Sequence, residues 1–267
     1  MVSRFYLSAV VLAAFVAISY AGQLPEPASQ AFRAASANGQ HMSAPAPSAG
    51  TLINPEMRGD IYMARKMFRE AAEVYGQGPQ DSAVLLNKTG IAYHQMLELD
   101  AAKKFYERAL KLNPAYPEAI NNLGTIYYSR KSYRRAVNLY KKALRYSPNS
   151  ASIYSNLGTG YFARRDYKDA SEAFQTALRL DPEVFEHHNT QGVLLQERSV
   201  EERAKFHFYL AKTYARVGKN DQALIYIRKA LEEGFKERKR FQEDPEFAGL
   251  KALPEFQQLL AMEPRVL

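Results

Sequence analysis

The chain has 267 residues, with 36 Lys+Arg against 28 Asp+Glu, a formal net charge of +8, and neither Cys nor Trp. The absence of cysteine excludes disulfides, a thiol nucleophile, Cys-ligated zinc and Cys-ligated iron–sulfur clusters. Hydrophobic residues at 46% and charged residues at 24% match an ordinary globular composition and exclude wholesale disorder.

Residues 1–21 open with a single cation, Arg4, followed by an uncharged run over 5–18 and the small-residue pattern Ser19-Tyr20-Ala21. This order of features is that of an export signal, with cleavage expected after Ala21. The alternative is an uncleaved anchor; the apolar run is shorter than the roughly 20 residues that span a bilayer comfortably. A periplasmic or secreted location is expected, with no integral span once the signal is removed. Residues 22–50 are rich in Ala, Ser, Gly, Gln and Pro, with Pro25, Pro27, Pro45 and Pro47 breaking regular structure. They can bury little and are expected to be a disordered tether.

From residue 83 the chain repeats with a period of 34 in three windows, 83–116, 117–150 and 151–184. Gly90, Gly124 and Gly158 recur at that spacing. So do Tyr93, Tyr127 and Tyr161; Ala102, Ala136 and Ala170; the aromatics Tyr106, Tyr140 and Phe174; Ala109, Ala143 and Ala177; and Pro114, Pro148 and Pro182. This pattern resembles the tetratricopeptide repeat, with Leu123-Gly124 and Leu157-Gly158 supplying its Leu-Gly pair. The first window has Thr89-Gly90 instead, and Leu86, Ile120 and Tyr154 stand where the pattern has Trp. The resemblance implies an all-α, right-handed superhelical solenoid of antiparallel helix pairs, A and B, with small residues where the two helices cross.

Weaker copies flank the three. Gly59, Tyr62, Ala71 and Tyr75 reproduce the offsets upstream, in a degenerate repeat over 52–82, with Asn54-Pro55 as its helix start. Downstream, Ala211, Tyr214, Ala223, Ile227 and Ala230 mark another over 204–234, with Gly218 at its turn and Gly234 as its stop. A 19-residue insertion, 185–203, separates it from the others. Ser199 and Glu202 are spaced as a capping box at its end. The tail, 235–267, pairs Pro245 with Phe247 and Pro254 with Phe256. It resembles the helical cap that such arrays need to cover a last apolar face.

Chemistry finds little support. No Walker A loop, GxSxG, HExxH or EF-hand loop occurs. His187 and His188 are adjacent and would diverge by about 100° on a helix, which makes a poor pair of ligands. Neither a catalytic residue nor a metal or other cofactor is expected, and the chain is read as non-enzymatic.

The resemblance assigns the partner surface instead. In that family helix A lines a concave groove. By register its fifth position holds Asn87, Asn121, Ser155 and Phe208, its sixth Lys88, Asn122, Asn156 and Tyr209, its ninth Ile91, Thr125, Thr159 and Lys212, and its twelfth His94, Tyr128 and Phe162. Asn at the sixth position grips an extended peptide backbone in some members, since an amide donates and accepts at once. The twelfth position would supply an aromatic stripe. Asn87, Lys88, His94, Asn121, Asn122, Tyr128, Asn156 and Phe162 are therefore the expected partner-binding residues. The family's basic carboxylate clamp does not fit, because only Asn122 matches it. The expected role is a scaffold binding an extended protein or peptide segment in this groove. The alternative is an envelope-associated adaptor docking an anionic surface through residues 130–145. The window 117–150 carries Arg130, Lys131, Arg134, Arg135, Lys141, Lys142 and Arg145 against Glu118 alone. A nucleic-acid partner is not expected in an exported protein without a reading helix.

Overall fold

The structure, a computed structural model, describes residues 54–186 and 199–262. The expected signal (1–21), the tether (22–50) and most of the insertion (185–203) lie outside the described residues. Among the described residues eight helices come first: α1 (Pro55–Ala64), α2 (Phe68–Gly76), α3 (Ala83–Gln95), α4 (Leu99–Leu112), α5 (Pro117–Ser129), α6 (Tyr133–Tyr146), α7 (Ala151–Ala163) and α8 (Tyr167–Leu180). They pack as four consecutive pairs, each also touching the next. A fifth pair, α9 (Val200–Arg216) and α10 (Asn220–Glu232), leads into a short α11 (Arg240–Glu243), a 3₁₀ turn (Pro245–Leu250) and α12 (Pro254–Ala261). No strand occurs among the described residues, and none of their helices is long and apolar enough to cross a membrane. The architecture is an all-α solenoid of helix pairs. The described residues build a core of their own from both helices of each pair.

Local chemistry sets the boundaries. Asn54, Ser82, Ser150 and Ser199 each accept a hydrogen bond from the backbone N–H three residues on, satisfying a donor the first turn leaves open. Helices α4, α6 and α8 stop where Asn113, Ser147 and Asp181 leave the helical region ahead of a proline. Within every pair a three-residue turn closes the first helix by the same two hydrogen bonds, one of them from Lys66, Leu97, Lys131, Arg165 or Gly218 N–H to the carbonyl three residues back. The N–H groups of Met67, Glu98, Ser132, Asp166 and Lys219 donate to the carbonyls of Tyr62, Tyr93, Tyr127, Tyr161 and Tyr214, at 2.8–3.0 Å. The residue just before each donor takes a left-handed φ: 60° at Lys66, 63° at Leu97, 57° at Lys131, 68° at Arg165 and 77° at Gly218. This is a Schellman closure, which needs that conformation. Four of the five turns adopt it without glycine.

The recurrent glycines meet rings rather than a bare helix axis. A Cβ at Gly59, Gly90, Gly124 or Gly158 would lie 2.2–2.6 Å from a ring carbon of Tyr75, Tyr106, Tyr140 or Phe174. Each ring lies directly on the glycine backbone of its own pair, and the alanines twelve and nineteen residues after each of Gly90, Gly124 and Gly158 are buried around it. In the fifth pair the two positions change together. Ala211 replaces the glycine and Ile227 the ring, and both are fully buried.

Candidate partner-binding surface

Three first helices of consecutive pairs, α3, α5 and α7, carry the expected groove residues. Four asparagines on them form one buried chain of amides. Asn122 Nδ2 donates to Asn87 Oδ1 at 3.0 Å, and Asn156 Nδ2 to Asn121 Oδ1 at 3.0 Å. Asn121 Nδ2 links the two pairs by donating to Asn122 Oδ1 at 3.4 Å. All four are at most 6% exposed. Both bonds between helices join residues 35 apart, so the fifth position of one helix meets the sixth of the next. The reason is geometric. Neighbouring first helices are offset by one residue, and a short amide just bridges them.

The same junction is built with other chemistry at both ends. Between α1 and α3, Lys88 Nζ reaches Glu56 at 2.8 Å and Asp60 at 2.7 Å, while the Tyr75 hydroxyl also donates to Asp60. Burial pushes the Lys88 ammonium down, and its bonds to Asp60 and Glu56 outweigh that and hold it above its ordinary value. Beyond α7 the fifth position is Ser155, too short to continue the amides. There Tyr209 on α9 stacks on Tyr167 at 4.5 Å and meets Phe162 edge-on. Lys88, Asn122, Asn156 and Tyr209 are thus rungs tying each first helix to its neighbours.

This arrangement differs from the sequence expectation in two respects. Amides read as open to a peptide backbone spend bonds on one another, and the twelfth-position residues do not stand clear as a stripe. Tyr128 packs on Tyr133 and Phe162 on Tyr167, each in reach because a three-residue turn returns the chain alongside, and Phe206 and Tyr209 reach Phe162 from α9. His94 is half-buried, and burial lowers its pKa, so it is neutral at pH 7. Of the eight expected residues, Lys88 and His94 keep part of their surface; the other six are buried. Sequence reasoning missed Glu56 and Asp60, although their four-residue spacing on a predicted helix was a legible signal of one acidic face.

Titratable groups gather elsewhere without forming a reactive site. Glu233 accepts from Arg203 Nε at 3.1 Å and lies 2.7 Å from His207 Nδ1. Burial, joined by the nearby charges of Lys229 and Arg203, lowers the His207 pKa although Glu233 raises it. No group of His, Asp or Glu among the described residues is placed to hold a metal ion.

Comparison with known proteins agrees with the helix pairs. A TPR repeat model matches residues 124–162, one tetratricopeptide repeat model matches 151–184 and another 85–116. No curated protein matches the sequence. Among solved structures, MamA is similar at 20% identity over 69% of this chain and 96% of that one, with a TM-score of 0.45. MamA from residue 41 onward of Desulfovibrio magneticus RS-1 is similar at 21% identity, over 67% and 92%, with a TM-score of 0.46.

Proposed function

We propose that this chain, a tetratricopeptide repeat protein and hence a protein–protein interaction scaffold, holds an extended segment of its partner along α3, α5 and α7. The observation that carries this reading is the chain of rungs. It fixes the spacing and register of the three helices, so a ligand meets a surface that needs no ordering, and many modest contacts can add up. Asn121 and Asn122 use one N–H and one acceptor site each in the amide chain, which leaves each a second N–H and a second lone pair by valence. Lys88 and His94 on α3, Ser155 on α7 and Tyr209 on α9, all half-buried, supply side-chain contacts. The proposal extends to location: Arg4, the uncharged run 5–18 and Ser19-Tyr20-Ala21 support export to the periplasm or beyond. The reading involves no catalysis and no cofactor.

Selection of extended peptides from a random library against residues 22–267 tests it. Peptides should be enriched, and Ser155→Tyr or His94→Ala should weaken them by about tenfold or more with melting preserved. Failure to enrich, or indifference to both changes, would overturn the groove.

A further inference from the structure

From Ala119 to Arg165 the chain contains no Asp or Glu. Helix α6 lies in the middle of that stretch, and its buried side is Ala136, Val137, Tyr140 and Ala143. At 100° per residue, Arg134, Arg135, Asn138, Lys141, Lys142 and Arg145 fall within an arc of about 120° on the opposite side, and Lys131 sits in the turn just before the helix. All seven are exposed. Two cations at the borders of the stretch are occupied: Arg130 pairs with Asp100 and Arg164 with Asp166. Arg135 leans over the Tyr127 ring and Lys141 over Tyr161. Lys131, Arg134, Lys142 and Arg145 have no carboxylate within ion-pair distance among the described residues. The other second helices differ, since α4, α8 and α10 each carry acids among their bases.

We infer that this face of α6 docks on an anionic lipid surface. The acid-free arc supplies charge complementarity to lipid headgroups, and its shape selects among anions. The arc is the outer side of a helix about 21 Å long, a ridge without a groove. A peptide ligand needs a groove or an edge to be gripped. A plane of headgroups needs neither, only cations held within a Debye length of it. Tyr146, half exposed at the end of the helix, adds a ring suited to the headgroup layer. This inference is independent of the groove reading, because α6 is a second helix and carries none of the groove residues.

Co-sedimentation of residues 22–267 with phosphatidylcholine vesicles, with and without one-third phosphatidylglycerol, tests it. Binding is expected with the anionic vesicles only and should collapse at high salt. A Lys131→Gln/Arg134→Gln/Lys142→Gln/Arg145→Gln variant should bind about a hundredfold or more weaker, with an unchanged melting curve. Arg134→Lys/Arg145→Lys should retain binding, and neutralising Arg228 and Lys229 on α10 should leave it intact. Equal binding to both vesicles, or none to either, would overturn the inference. So would indifference to the α6 changes, or binding of polyglutamate in preference to vesicles.

Discussion

Ending the chain after Glu243 is expected to make the protein aggregate. That deletion removes Phe247, Leu250, Phe256 and Leu259, each at most 1% exposed. It uncovers Phe208, which packs between the rings of Phe235, Phe241 and Phe247. It also takes away Asp244, 2.7 Å from Lys212, and Glu246, which pairs with Lys212 and Arg216. A half-buried ammonium would lose its counter-charges beside a newly exposed aromatic patch. The single change Phe247→Ala should cost about 3–5 kcal/mol by opening a cavity in that stack. The charge clip gives this lid a pH signature. Burial pushes the Glu246 carboxyl up, but its backbone hydrogen bond and those from Arg216 and Lys212 outweigh burial and hold it below its ordinary value. A carboxyl so lowered contributes stability above its unfolded pKa and loses that contribution as pH falls through the folded one. Glu246→Gln should therefore lower the melting temperature at neutral pH and matter progressively less in acid. Size-exclusion chromatography and thermal melts check both points. A truncated chain that elutes without aggregate and melts normally would show the tail to be no lid.

Gly124→Ala should destabilise the protein by about 1–3 kcal/mol, and Gly124→Leu by more. The added Cβ falls 2.6 Å from Cε1 and 2.9 Å from Cδ1 of Tyr140, a residue that is fully buried and has no free space to rotate into. The cost should shrink in a Gly124→Ala/Tyr140→Leu double variant, because a smaller side chain vacates the space the methyl needs. The fifth pair already uses such a combination, Ala211 with Ile227. Denaturant melts of the four proteins read the coupling directly. Strict additivity of the two changes would contradict the contact.

The 34-residue period made the fold legible because every matched residue has a steric task that no other residue type performs as well. Gly124 admits a ring, Ala136 and Ala143 admit a helix, and Pro148 stops one. The partners of those residues were less legible. Nothing in a single repeat says that the object over Gly124 is Tyr140, sixteen residues on, rather than the neighbouring backbone. The groove was legible as a column of positions and illegible as chemistry. Asn122 looks the same in sequence whether its amide faces a ligand or Asn87. Only the one-residue offset between neighbouring first helices decides that, and a period read within one repeat does not contain it. The positive-φ turns show the same limit. Leu97, Lys131 and Arg165 have no glycine signature, since the Schellman bonds rather than the residue type impose their conformation.

A double-mutant cycle on Asn87 and Asn122 decides whether the sixth-position residues lock neighbouring first helices in register. Each single change to Ala should cost about 1–3 kcal/mol by stranding a buried amide, and the double variant should cost less than the sum by about 1 kcal/mol. Single variants that melt like the parent, or costs that simply add, would show that the two amides do not hold the helices together.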